Sequence, residues 1–235
     1  MSRTKLLVGF LIVLCILFVI FQFNENDKFS CITRSLIIPA FTVLYFQSVK
    51  RKTFYFSMFL VLYSISELTS LISEYIPYEV DYFMGNGLYI AAYVFLILEV
   101  LKSLNFNYVL NNYSIHLIVL GALNIYIVYV LLKIVYPFVS FSFEFLVELM
   151  YNIVMLILLS VSLLNYFYRD NRKSLLMFVG SLCLVFSEVI LVAYLYISDK
   201  NLLIFSSSIL SILAFYFFYI QASLKNEKVK SLANL

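Results

Sequence analysis

The sequence predicts an all-α fold, a polytopic transmembrane bundle of eight helices forming one integral membrane domain over residues 1–235. Three observations predict it. The chain is 64% hydrophobic and 12% charged with a mean hydropathy of +1.00, against about 45–50% and about 25% in soluble domains. A water-soluble core cannot use that much apolar surface. The apolar residues fall into eight runs close to the roughly 20 residues that one crossing needs. The polar stretches between them are too short to hold a folded domain.

In chain order the runs span about 5–23, 31–49, 53–73, 82–103, 113–136, 144–168, 174–197 and 202–223. The first follows Met1 to Lys5 and invites a signal-peptide reading. It exceeds the usual apolar region of about 7–15 residues and no small-x-small cleavage site follows, so it is expected to stay as the first span. The connections are Asn24–Ser30, Lys50–Lys52, Glu74–Asp81, Asn105–Asn112, Pro137–Phe143, Arg169–Lys173 and Ser198–Asn201, with a charged tail from Lys225. The 20 tyrosines, with no tryptophan, suit interfacial anchoring as well as packing between helices.

Orientation follows from the basic residues, because cytoplasmic loops carry the positive excess. Eight spans put both termini on one side, and that side receives twelve of the sixteen basic residues: Arg3, Lys5, Lys50, Arg51, Lys52, Lys102, Arg169, Arg172, Lys173, Lys225, Lys228 and Lys230. Lys28, Arg34, Lys133 and Lys200 fall on the other. Both termini are therefore expected in the cytoplasm. Ser66-Glu67 in the third run and Ser187-Glu188 in the seventh hint at a four-plus-four repeat, in which those two spans share an orientation.

Several function classes lose support here. The net charge is only +3 and the cations sit in short clusters between apolar runs, so a nucleic-acid partner is not expected. Cys15, Cys31 and Cys183 lie far apart with no CxxC spacing, and His116 is the single histidine, so no metal site is expected. His116 sits near a helix end, where an interfacial histidine is ordinary. With five glycines there is no phosphate-binding glycine loop and no cofactor is expected. Nothing identifies a protein partner.

The informative residues are those a bilayer should reject, since an ionisable side chain mid-span costs at least about 2.5–3.5 kcal/mol. Glu67 lies about six residues inside the non-cytoplasmic end of its run and Glu188 about nine. At 1.5 Å per residue these depths agree within one helical turn. Arg34, Asn86, Glu148 and Asn152 occupy the same leaflet, with Glu148 and Asn152 four apart on one face. Six polar groups from five spans thus suggest a pocket opening on the non-cytoplasmic side. The plainer alternative is that Arg34 and Glu148 snorkel to the surface and the rest make interhelical hydrogen bonds. Glu99 and Lys102 read as a surface pair, and Ser206, Ser207 and Ser208 as small residues permitting close helix packing.

In order and spacing these residues resemble the YhhN-like lysoplasmalogenase family of eight-helix membrane proteins, over about residues 31–223. The family shows Lys-Pro early in its second helix, Gly-Asp in the third, Gly-x3-aromatic-x3-His in the fourth, Gly followed by Ser-Asp in the seventh, and Tyr-Tyr-x-Ala-Gln in the eighth. This chain has Arg34-Ser35, Ser66-Glu67, Gly85 with Tyr89 and Tyr93, Gly180 with Ser187-Glu188, and Phe217-Phe218 with Gln221. Both family aspartates are glutamates here, the lysine is Arg34, and the histidine is Tyr93.

The resemblance implies hydrolysis of a vinyl ether bond in a membrane lipid such as a lysophospholipid, with Glu67 and Glu188 catalytic. Protonation of the vinyl β-carbon gives an oxocarbenium ion, which water captures as a hemiacetal that collapses to aldehyde and alcohol. Two carboxyls at one depth suit this, one protonated as acid and the other ionised to activate water or stabilise the cation. Arg34 would hold the ionised carboxylate or a lipid phosphate, with Asn86, Tyr93, Asn152 and Gln221 as substrate-side groups. The competing class is a non-enzymatic membrane protein: a proton or solute transporter using the same carboxylates, or a lipid-binding protein that has lost activity.

Overall fold

The computed structural model describes residues 3–24, 26–139 and 143–224. Eight helices are long and apolar enough to cross a membrane. They are α1 (Arg3–Phe23), α2 (Asp27–Ser48), α3 (Phe54–Thr69, whose span is completed by a 3-10 turn to Tyr75), α4 (Tyr78–Leu101), α6 (Ser114–Val139), α7 (Phe143–Arg169), α8 (Arg172–Tyr196) and α9 (Asn201–Ser223); α5 (Phe106–Asn112) is too short to cross. Among the described residues there is no strand. A multi-pass membrane bundle leaves little else, because hydrocarbon offers the backbone no partner and a helix satisfies its own groups. Eight crossings return the chain to its starting face, so Arg3 and Leu224 mark one end of the bundle, called here the near end.

Four boundaries differ from the sequence expectation, each for a local reason. α2 starts at Asp27 instead of about 31, with the Asp27 carboxylate in the first turn complementing the helix dipole. α4 starts at Tyr78, directly after Pro77, with Glu79 and Asp81 in its first turn. α6 runs through Pro137 to Val139, which neighbouring helices permit in a membrane. The stretch from Asn105 folds into α5, whose first turn is capped by the Asn105 side chain accepting from the Tyr108 N–H at 3.3 Å. The tail lysines Lys225, Lys228 and Lys230 lie outside the described residues.

α3 tightens into a 3-10 turn over Ser70–Tyr75. The hydroxyls of Thr69, Ser70 and Ser73 each donate to the carbonyl three residues back, at 2.7, 2.7 and 3.0 Å. Such local bonds compete with the α-helical pattern and favour the tighter winding. The turn between α7 and α8 reverses in two residues: Asp170 takes a left-handed φ of 40°, and Asn171 caps α8 in a reciprocal capping box with Ser174.

Neighbouring helices close a ring in the order α2, α3, α4, α7, α8, α9 and back to α2. α1 packs outside on α2 and α9, and α6 outside on α7 and α8. Exchanging the two four-span halves maps this ring onto itself but not the outer helices, since α1 packs on α9 where the exchange would require α6 on α4 and α6 packs on α8 instead. The outer helix α6 turns Ile115 and Ile125 outward at 76% and 73% exposure, as a lipid-facing surface does. Lipid is as apolar as leucine, so close packing rather than hydrophobicity holds the ring together.

That packing is densest at mid-height. Phe59, Leu96, Leu158, Leu184, Phe215 and Phe218 are all buried to 1% exposure or less. Phe59 stacks on Phe215 at 5.6 Å and meets Phe218 edge-on at 5.5 Å. Gly180 lets α9 approach α8 here: a Cβ at this position would sit 2.6 Å from the Phe218 ring and 3.3 Å from the Ala214 carbonyl. Hydroxyl pairs such as Thr42 with Ser64 at 2.7 Å and Ser162 with Ser181 at 2.9 Å tie helices together, each contributing about 0.6 kcal/mol on average in a membrane.

Candidate functional site

A cavity of about 180 Å³ opens inside the ring toward the far end, walled by all six ring helices. Five of the sequence-predicted residues line it: Arg34 from α2, Glu67 from α3, Asn86 from α4, Glu148 from α7 and Glu188 from α8. A water needs about 10–15 Å³ by this kind of measure, so several fit. The small residues Ser187, Ser207, Ser208 and Ser211 form the α8 and α9 walls. The Ser187 hydroxyl donates to the Ser207 carbonyl at 2.8 Å, binding those two walls together.

Glu188 is the deeper carboxyl, 9% exposed. The Tyr93 hydroxyl donates to its Oε1 at 2.9 Å and also meets the Tyr151 hydroxyl at 3.2 Å. The hydroxyls of Tyr151 and Tyr63 interact with the same carboxyl. The Tyr93 bond contributes about 0.5–1.5 kcal/mol, which offsets part of the insertion cost of about 2.5–3.5 kcal/mol. Glu67 is half-buried because it faces the cavity, and its Oε1 accepts from the Tyr89 hydroxyl at 3.0 Å. Its neighbour Ser66 donates to the Gly85 carbonyl at 3.0 Å, fixing α3 against α4 at this height.

The Arg34 guanidinium attracts both carboxylates and makes no hydrogen bond to another described residue. Glu148 accepts from the Tyr82 hydroxyl at 2.8 Å. Asn86 uses its amide to donate to the Tyr82 carbonyl at 3.0 Å, one turn back on its own helix.

The remaining predicted residues stand elsewhere. Tyr93 lies behind the wall and reaches the cavity through Glu188. Asn152 is 1% exposed and its Nδ2 has no partner, so it packs in the ring wall rather than lining the cavity. Gln221 lines a second cavity at the near end, separated from Glu67 and Glu188 by the aromatic layer. The pairing of Glu99 with Lys102 gives way to two other contacts: Lys102 stacks its ammonium 3.8 Å above the Tyr55 ring, and Glu99 lines the near-end cavity.

The sequence reading missed the tyrosine cage. Tyr63, Tyr89 and Tyr151 line the cavity, and Tyr63 meets Tyr89 and Phe215 edge-on, each at 4.7 Å. Spacing could have found them. Tyr63 lies four residues before Glu67, Tyr89 three after Asn86, and Tyr151 three after Glu148, each on the face of its polar neighbour.

Chemically, the cavity offers three carboxyls with different tyrosine donors, a guanidinium and room for water. Among the described residues no group of three or more His, Cys, Asp or Glu side chains is placed to hold a metal ion. The chain matches no known family model, no curated protein and no solved structure with which it was compared.

Proposed function

We propose that this protein is a lipid hydrolase of the membrane that cleaves a vinyl ether bond by carboxylate acid/base chemistry, like the lysoplasmalogenases its motifs resemble. The supporting observation is that Glu67 and Glu188 share one water-sized intramembrane cavity with different hydroxyl partners. Glu67, with one donor and a face on the cavity, acts as the acid that protonates the vinyl β-carbon. Glu188, among three tyrosine hydroxyls, remains the carboxylate that takes a proton from water as it adds to the oxocarbenium carbon. The hemiacetal then collapses, its hydroxyl proton passing to the ether oxygen, which leaves as alcohol while the other fragment leaves as aldehyde; the proton held by Glu188 returns to Glu67, so the net reaction consumes one water. Arg34 steadies the charge between the carboxylates or the phosphate of a lysophospholipid. The positive bias of the near end supports a topology with both termini in the cytoplasm and the cavity mouth on the opposite side.

Purified protein in detergent, incubated with a lysoplasmalogen, is expected to release fatty aldehyde detectable by mass spectrometry. Glu67→Gln or Glu188→Gln should lower the rate by about 10²–10⁴-fold, the usual worth of a positioned acid or base. No aldehyde from wild-type protein under any condition sinks the hydrolase reading. Proton uptake by liposomes containing the same sample would then favour transport through the same carboxylates.

A further inference from the structure

The near-end cavity carries chemistry that the carboxylate site does not use. It has a volume of about 300 Å³ and is walled by the ends of α4, α7, α8 and α9. Three cations line it, Lys102, Arg169 and Lys173, against a single carboxylate, Glu99. Glu99 attracts Lys173, which also donates to the Leu224 carbonyl at 3.5 Å. Among the described residues that line it, cations outnumber carboxylates three to one.

Its neutral polar groups are turned toward an absent acceptor. Gln221 is 4% exposed, lines the cavity, and makes no side-chain hydrogen bond to another described residue. A side chain this buried whose amide opens on the cavity and meets no described protein group is an independent sign of a missing ligand. Asn165 is 5% exposed, and the Ser103 hydroxyl occupies its Oδ1 at 2.7 Å, leaving the Nδ2 hydrogens uncommitted. Two buried atoms of the wall have no partner, the donor Arg169 Nε and the acceptor Glu99 Oε2. Donors thus come from three helices: Asn165 and Arg169 on α7, Lys173 on α8 and Gln221 on α9.

We propose that this cavity binds a phosphate group, carried by a lipid headgroup or by a soluble phosphate. A tetrahedral anion with several acceptor oxygens suits donors converging from several walls, and a guanidinium beside an ammonium is the usual pairing for it. A phosphodiester's single charge, or a monoester's two, offsets the local excess. The cavity lies at the span ends, the level of phospholipid headgroups, where basic pockets between transmembrane helices take anionic lipid. This site stands independently of the vinyl ether reading. Glu188 is fifteen residues along α8 from Lys173, about 22 Å at 1.5 Å per residue.

The test uses the delipidated full-length chain in neutral detergent, with unfolding temperature and native mass spectrometry as readouts. Inorganic phosphate is titrated against chloride at matched ionic strength, and phosphatidylglycerol against diacylglycerol. At least one phosphate probe should raise the unfolding temperature saturably while its control does not. A response to phosphatidylglycerol alone assigns a lipid headgroup; a response to inorganic phosphate assigns a soluble phosphate. Arg169→Gln and Gln221→Leu should each weaken the effective probe by about tenfold or more, as loss of a charge-assisted or buried donor does. If Arg169→Gln does not fold, Gln221→Leu decides alone. The proposal fails if neither probe has an effect, or if the folded variants bind it as tightly as wild type.

Discussion

The two polar cavities have opposite charge on a shared frame. At the far end three carboxylates, Glu67, Glu148 and Glu188, face one guanidinium, Arg34; at the near end three cations face one carboxylate, Glu99. Their wiring differs as much as their sign. Each far-end carboxylate already accepts a hydrogen bond from a tyrosine, whereas the near end leaves Gln221 and Arg169 Nε without partners. A site whose groups hold one another is set for chemistry on whatever enters, because its geometry precedes the substrate. A site whose donors wait is completed by its ligand. Between them lies the aromatic layer, where Gly180 leaves no room for a side chain against Phe218.

Breaking that layer should have the largest effect, because both cavities hang on it. Gly180→Leu drives a side chain into the Phe218 ring, which is fully buried and has nowhere to move. Even Gly180→Ala should cost about 1–3 kcal/mol. The leucine variant is expected to lose folded protein altogether, judged by size-exclusion profile and thermal unfolding in detergent. Wild-type melting of Gly180→Leu would show that the layer is not what separates the cavities.

Removing single hydroxyls sharpens the contrast within the far end. Tyr89→Phe takes away the tyrosine donor seen on Glu67. A bond worth about 1.4 kcal/mol corresponds to tenfold in rate, so aldehyde release should fall by roughly that factor. Tyr93→Phe leaves Glu188 with Tyr63 and Tyr151 and should cost less. Steady-state kinetics of the two variants side by side would overturn the assigned donor sets if their order were reversed.

A change of opposite sign, in stability and not in rate, is expected in the ring wall. Asn152→Leu replaces a buried amide whose Nδ2 has no partner with an apolar side chain of similar size, and should stabilise the protein by about 1–3 kcal/mol. A rise in unfolding temperature with unchanged activity supports the packing role; loss of activity would return Asn152 to the substrate side. Smallest of all, His116→Ala alters an exposed ring that touches Tyr113 and Phe167, and neither melting nor aldehyde release should move.

The bundle was legible in the sequence because a bilayer leaves the backbone few options, and apolar length reports them directly. Glu67, Glu188 and Arg34 were legible for the same reason, since charge in an apolar run stands out. The tyrosines were not. A tyrosine is at home in an interface, in a helix seam and at a hydrogen bond, so its presence alone distinguishes none of these. Gln221 is a different case: motif order drew it toward the glutamates, whereas its position two residues from the end of the run at 202–223 already put it at the opposite face. Neither α5 nor the 3-10 turn was visible from hydropathy, because both are set by local side-chain to backbone bonds.

The closed ring has a consequence for biosynthesis. Arg34 enters the membrane with α2, but the α9 wall of its cavity, from Ser207 to Ile212, is made more than 170 residues later. At about 5–20 residues per second, the guanidinium spends roughly 10–35 seconds without its eventual surroundings. During that interval the insertion machinery or the lipid headgroups must shelter it. The polar interior is therefore the last part of the protein to exist, and chains cut short before α9 should be the ones that quality control removes.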